Sequence, residues 1–279
     1  MQEGTRPIGS VSTTVSTAMP TVDRINVTPM KGTRVHHPER VVLTDRGIAG
    51  DRLFYLVDDW GEIFSGSTFG PLVRLRASFD AAAERLTVAF PDGVEVTGPA
   101  NALGDAQTTN FYGRPVTARA VEGPFSEAIS AFCSRPVRLL RCGREGDGID
   151  VDPVTLVSTA SVRDLAERGK HEGDLDARRF RMTFELDGCE PYEEESWAGR
   201  AVRIGEAVVE IGGQVPRCVF TTKDPETGEK DWNTLTEIAA YRPRIAGDGG
   251  LPFGVYARVI RGATVGIGDT VGSLSDAPA

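Results

Sequence analysis

Cysteine and histidine are scarce in this chain, with four and three copies among 279 residues. That is too few for a disulfide scaffold, and no Cys-x-x-Cys pair or matched histidine spacing marks a zinc site. Cys133, Cys142, Cys189 and Cys218 stand far apart, the pattern expected of a chain that works in a reducing cytoplasm. Long apolar runs are lacking too. Nothing approaches the roughly 20 residues a membrane helix needs, so no membrane span is expected. Basic excess is absent: 31 Lys and Arg stand against 40 Asp and Glu, for a net charge of -9. Such a balance argues against nucleic acid or an anionic membrane surface as a partner. There is no Walker A loop, no Gly-x-Gly-x-x-Gly after a strand and no Gly-x-Ser-x-Gly, which argues against nucleotide, dinucleotide and hydrolase sites. Residues 1–21 are Ser/Thr-rich, lack the apolar centre of a secretory signal, and read as a disordered tail.

What the chain does have is a succession of short β-patterned runs. Arg24–Thr28, Arg40–Thr44, Arg52–Asp58 and Val116–Val121 read as strands, and Leu86–Phe90 and Val94–Thr97 flank a Pro-Asp-Gly turn as a hairpin. Three short helices are expected: Phe125–Cys133, one capped by Ser161 and ended by Gly169, and one from Thr234 stopped by Pro243. Further strands fall at Leu156-Val157, Phe184–Leu186, Ala201–Ile204, Ala207–Ile211, Val219-Phe220, Tyr256–Ile260 and Val265–Val271. Many short strands with glycine turns point to an α+β, mostly β fold, with barrels and a few peripheral helices. Cys142–Ile149, rich in glycine and mixed charge, is the expected linker, dividing an N-terminal domain over 22–142 from a core over 143–275.

The candidate chemistry centres on Cys218. It follows a strand, has Arg217 beside it, and precedes Thr221, Thr222 and an Asp-Pro-Glu-Thr-Gly turn. A neighbouring cation favours the thiolate, which is both nucleophile and metal ligand; the alternative is a small buried hydrophobe. Arg178-Arg179-Phe180-Arg181 is a basic run in an acidic chain. Continued as a strand into Phe184, it would turn Arg179 and Arg181 to one face, suited to phosphate or carboxylate, or else be a solvated edge. Lys31 and Arg52 gain meaning only by converging with Arg181. Ser158 and Thr159 lie where a helix begins and offers free N–H groups to anions. The acidic stretch 190–197 reads as a surface loop with Trp197 turned inward.

These segments, taken in order, resemble MOSC-domain proteins with an N-terminal MOSC β-barrel, and most of all the group of amidoxime reducing components and bacterial relatives. The resemblance runs over about 22–272. It is carried by Pro29-Met-Lys-Gly32, Gly50–Val57, Val157–Ser161, Arg179-Phe-Arg181, Asp187–Tyr192, Arg217–Thr222, Asp224–Gly228 and Gly266–Val271. It implies a molybdenum cofactor (molybdopterin) with Cys218 as metal ligand, held by Lys31, Arg52, Arg179, Arg181, Thr183 and Arg217, with Ser158 and Thr159 lining the site. It also implies a small N-hydroxylated substrate and a separate electron-donor protein, since no iron–sulfur pattern is present. A second implication comes from likeness to the C-terminal part of molybdenum-cofactor sulfurases, in which Cys218 would be a nucleophile or persulfide carrier. Three places depart from the family pattern: Met182-Thr183 for Pro-Asn, Gly32 for Ser, and Ser65-Gly-Ser-Thr68 for Thr-Ala-Arg-Gln.

Overall fold

A computed structural model describes residues 19–247 and 249–274. The expected disordered tail lies, up to residue 18, outside the described residues. Residues 19–21 of that expected tail are part of the fold: the Pro20 carbonyl accepts from Val271 N at 2.7 Å, and Thr21 opens the first strand.

The chain runs β1 (Thr21–Ile25), β2 (Arg40–Thr44), β3 (Gly47–Ile48), β4 (Phe54–Val57) and β5 (Ile63–Phe64), then β6 (Arg76–Asp80), β7 (Arg85–Ala89) and β8 (Glu95–Pro99). β9 (Leu103–Phe111), β10 (Arg114–Val121), α1 (Phe125–Cys133) and β11 (Arg138–Cys142) follow. Next come β12 (Val154–Ser158), α2 (Thr159–Arg168), β13 (Phe184–Asp187), β14 (Ala201–Ile204) and β15 (Ala207–Arg217). The last are α3 (Thr234–Ala239), β16 (Leu251–Arg261), β17 (Ala263–Gly266) and β18 (Val271–Ser273). The fold is mostly β, as the sequence leads one to expect.

One core lies between the sheets β5-β4-β11-β10-β9 and β6-β7-β8. All four residues of β4 are buried, so it reads as an unbroken apolar run, as a strand covered on both faces must. β7 alternates, turning Leu86 and Val88 inward. Phe125, Ile129 and Cys133, four apart on α1, cover the same core with one helix face.

A second core fills the barrel formed by the sheet β1-β13-β12-β16-β15-β14-β18. Its two ends meet: Thr21 bridges Thr270, and Val22 N donates to Asp269 O at 2.9 Å. Closure leaves no open edge between β1 and β18. A third cluster, with Leu165 of α2, Ile238 of α3 and Phe253 of β16, seals one side.

Several expectations need correction. Val22, Ile25, Val41, Leu43 and Ile48 belong to the second core, while the first is built from Met30 and from Leu53 to Cys142. The start of the expected N-terminal domain is thus woven into the C-terminal barrel, because β1 finds its backbone partners there. The cap of α2 is Ser158, whose hydroxyl accepts from Ser161 N at 3.0 Å, rather than Ser161 itself. Val219-Phe220 is part of a 3-10 turn, Val219–Thr222, rather than a strand. The acidic stretch is not simply a surface loop: Trp197 is buried as expected, but so is Glu194. Its carboxylate accepts from Ser161 Oγ at 3.0 Å.

Candidate active site

The two halves meet over an open cavity of about 170 Å³. From the first half come Lys31, Gly32, Arg52, the Ser65–Ser67 turn and Tyr112. The connection ahead of β12 supplies Asp150 and Asp152, the end of β15 supplies Arg217 and Cys218, and the segment entering β13 supplies Arg181 and Thr183. The connection expected as a linker, Cys142–Ile149, reaches the wall with its last residue, Ile149. It is also tightly seated: a side chain at Gly148 would meet the Arg52 carbonyl oxygen at 1.9 Å.

Arg181 shows how local structure aims a side chain. Residues Ala177–Phe180 form a 3-10 turn, not the expected strand, and Arg181 closes it at φ 53°, a left-handed conformation uncommon for a residue with a Cβ. This twist separates the two arginines expected on one face. Arg181 points into the cavity, donates to Thr33 O at 2.8 Å, and lies 5.3 Å from the Phe220 ring centroid. Arg179 points away from it. Buried at 4% exposure, it forms a two-pronged pair with Asp231 at 2.8 and 3.1 Å and donates to Thr221 O at 3.1 Å. It thus braces the turn that follows Cys218 and does not line this cavity.

Four cations face the cavity: Lys31, Arg52, Arg181 and Arg217. Lys31 pairs with Asp150, and Arg52 with its neighbour Asp51. Arg181 and Arg217 have no carboxylate partner among the described residues. Arg181 Nη2 and Arg217 Nε are buried without any hydrogen-bond partner. Burial, with Arg52 beside it, pushes the Arg181 guanidinium down to about 9. Burial likewise lowers Lys31, outweighing the attraction of Asp150, and lowers Arg217. A guanidinium keeps its proton near neutrality, so Arg181 and Arg217 are buried positive charges whose desolvation an incoming anion would offset. Orphaned buried N–H groups on uncompensated cations are what a phosphate-bearing ligand satisfies.

Cys218 directly follows β15 and is the one exposed cysteine of the four. The other three are buried, and burial pushes the Cys133 and Cys142 thiols up to about 11 and about 12 and raises Cys189 further. The reactive-thiol alternative therefore fits Cys218 and no other cysteine. Arg217 next to it is fixed by donating to Phe180 O and by Met182 Sδ at 3.3 Å.

Ser158 and Thr159 are not brought to the cavity. Ser158 is fully buried in its capping role, and the Thr159 hydroxyl donates to Asp187 at 3.0 Å. Thr183 lines the cavity, but its hydroxyl is committed to Thr155, accepting from Thr155 N at 3.1 Å. Sequence reasoning missed Asp150, Tyr112 and Phe220. Only Asp150, in an Asp-Val-Asp-Pro turn, left any signal. Gly66, at one departure from the family pattern, has a physical reason: a Cβ there would lie 2.3 Å from the Phe220 ring. Lys223 then ties the two halves together, donating to Gly66 O at 2.7 Å and Ser67 O at 3.1 Å.

A two-domain barrel with an exposed cysteine over a cationic cavity matches two family models end to end. The MOSC N-terminal beta barrel domain matches residues 19–138 and the MOSC domain matches 144–272. The chain belongs to the MOSC-domain family. It is 32% identical to mitochondrial amidoxime reducing component 2 of Rattus norvegicus over 133 residues, 46% of this chain and 38% of that protein. It is 26% identical to the molybdenum cofactor sulfurase of Drosophila grimshawi over 255 residues, 85% of this chain and 32% of that one. The chain thus matches less than half the length of these relatives. Among solved structures, the YUAD protein from Bacillus subtilis aligns over 91% of this chain and 94% of its own, with a TM-score of 0.43 and 10% identity. No described helix is long and apolar enough to cross a membrane.

Proposed function

We propose that this protein is a molybdenum-cofactor-dependent oxidoreductase that reduces N–O bonds of small N-hydroxylated molecules. The observation that carries the reading is the pair of orphaned buried guanidinium atoms, Arg181 Nη2 and Arg217 Nε, in the cavity that Cys218 lines. The residues present fit an anionic cofactor. Lys31, Arg52 and Arg181 would hold its phosphate, and the Cys218 thiolate would ligate molybdenum, a soft donor for a redox metal. When bound, the cofactor supplies two-electron chemistry and an acceptor for the substrate oxygen.

The chain's own residues bind and orient. Arg217, fixed by Phe180 O and Met182 Sδ, keeps positive charge beside Cys218. Arg179, itself held by Asp231, donates to the Thr221 carbonyl, three residues on from Cys218, and so fixes the turn that presents the thiol. Each turnover takes two electrons and two protons and releases one water from the N–OH group. The electrons come from a separate donor protein. The test is consumption of benzamidoxime by metal-loaded protein with a chemical reductant. Benzamidine should appear in equal amount, and no reduction by loaded protein would contradict the reading.

A second reading, a sulfur-handling enzyme with Cys218 as persulfide carrier, is favoured by the exposure of Cys218 and by the longer match to the sulfurase. Alkylation and mass measurement of Cys218 after treatment with a small-molecule persulfide separates the two: the donor's outer sulfur passes to the Cys218 thiolate as the donor leaves as its thiol, and only a carrier holds that added sulfur atom.

A further inference from the structure

A second, much smaller cavity of about 10 Å³ lies on the other side of Arg181. Arg181 and Phe220 line both cavities, so the two share a wall. Arg34, Arg178, Arg179 and Lys223 complete a ring of cations around the small one, and Asp224 is the one carboxylate in its lining. Neither Arg34 nor Arg179 lines the cavity beside Cys218.

Two N–H groups of this ring lack an acceptor. Arg34 Nε and Arg179 Nε are both buried without a hydrogen-bond partner. The Arg179 side chain is 2% exposed, so bulk water does not serve it. Its two Nη atoms are taken, by Asp231 and by Thr221 O. Arg34 Nη2 pairs with Glu226. What remains unmet is one donor on each of two arginines that line the same small space. A buried donor left unmet costs free energy, so such a group calls for a ligand or an ordered partner.

Charge and size narrow the partner. Cations outnumber carboxylates in and around the cavity: Asp176, Glu226 and Asp231 pair with Arg178, Arg34 and Arg179, while Arg181 and Lys223 pair with no carboxylate among the described residues. The side-chain acceptor in the lining, Asp224, already receives Glu226 N at 2.9 Å and Thr227 N at 2.7 Å on its Oδ1. A pure acceptor with negative charge suits donors of this kind. The volume is about that of one water-sized sphere, which shuts out tetrahedral oxyanions such as phosphate or sulfate. We infer that this cavity is a binding site for a single halide ion, chloride in practice, held between Arg34 Nε and Arg179 Nε. The site stands apart from the reductase reading and holds with or without it. Because Arg179 also holds Thr221 O, the ion would steady the turn that follows Cys218.

The test has two parts on the full chain. Anomalous diffraction from crystals soaked in bromide should show one peak within hydrogen-bond reach of both Nε atoms. In solution, thermal unfolding is followed as chloride replaces gluconate, an anion too large for the cavity, at constant ionic strength. The unfolding midpoint should rise with chloride and saturate, as binding to the folded state alone requires. Arg34→Met removes one of the two donors and should raise the half-saturating chloride concentration at least about tenfold. Val73→Ile narrows the cavity wall and should weaken the dependence in the same direction while keeping every cation. No bromide peak at this place, or a chloride dependence equal in the wild type and both variants, would overturn the proposal. A peak at soaking concentration without saturation in solution would mean an adventitious ion only, and would overturn it as well.

Discussion

Arg52 Nη2 donates to the carbonyl oxygen of Arg181 at 3.3 Å, joining two residues 129 positions apart in the chain. Both sit at left-handed φ, 50° and 53°, where a Cβ is unwelcome. Two strained arginines locked together at the junction of the halves fix two cavity cations in place. Strain of this kind persists only where surrounding structure enforces it, and it gathers at functional sites.

The strain gives a prediction that separates backbone from charge. Arg181→Gly and Arg181→Ala both remove the guanidinium, but only glycine relieves the backbone. In urea unfolding, Arg181→Gly should be more stable than Arg181→Ala by about 1 kcal/mol. Equal stabilities would show that φ at this position is not maintained in solution.

Cys218 should be the only thiol to react in the native state. Iodoacetamide should add one group per native chain and four after denaturation, since Cys133, Cys142 and Cys189 are buried. Cys218→Ser should leave the melting temperature within a degree or two, as surface substitutions generally do. A native count above one would show that the cores are looser than described.

The Arg179–Asp231 pair is expected to brace the thiol turn. Asp231→Ala leaves the Arg179 guanidinium buried and uncompensated, which should destabilise the chain by about 2–3 kcal/mol. The same variant should change the rate at which Cys218 is alkylated, because Arg179 also holds Thr221 O. A stability loss with an unaltered alkylation rate would show that the pair does not position the thiol.

The pH dependence of stability should carry the signature of Glu194. Burial pushes its carboxyl up to about 7 from 4.5, so between those values the folded chain holds a proton that the unfolded chain has released. Stability from this group is full below about pH 4.5, falls as pH rises to about 7, and is level above. The fall amounts to about 3 kcal/mol. Glu194→Gln should flatten this slope in chemical unfolding measured from pH 5 to 8. A slope unchanged by the substitution would mean that Glu194 is already ionised when folded.

Much of this was legible in the sequence. β7 and β10 announce themselves by alternation, and α1 by Phe125, Ile129 and Cys133 at helical spacing. β9 is an edge strand with polar residues at most positions, so its pairing with β10 left little pattern to read. The convergence of Lys31, Arg52, Arg181 and Cys218 came from family likeness, because residues that far apart meet only through topology. The different fates of Arg179 and Arg181 were hidden for another reason. One residue in a left-handed conformation reverses the direction of a side chain, and nothing in the Arg-Phe-Arg letters reports that. The place of β1 in the C-terminal barrel was equally invisible, since closure depends on backbone bonds to residues 268–271.

The central claim is that the cationic cavity beside Cys218 holds a molybdenum cofactor. It is tested most directly by metal and pterin analysis of chain purified from a cofactor-producing host, alongside Cys218→Ser and Arg181→Ala. The account predicts near-stoichiometric molybdenum and pterin in the wild type, loss of metal in Cys218→Ser and lowered occupancy of both in Arg181→Ala. Folded wild-type protein without molybdenum or pterin, or occupancy untouched by either substitution, would contradict it.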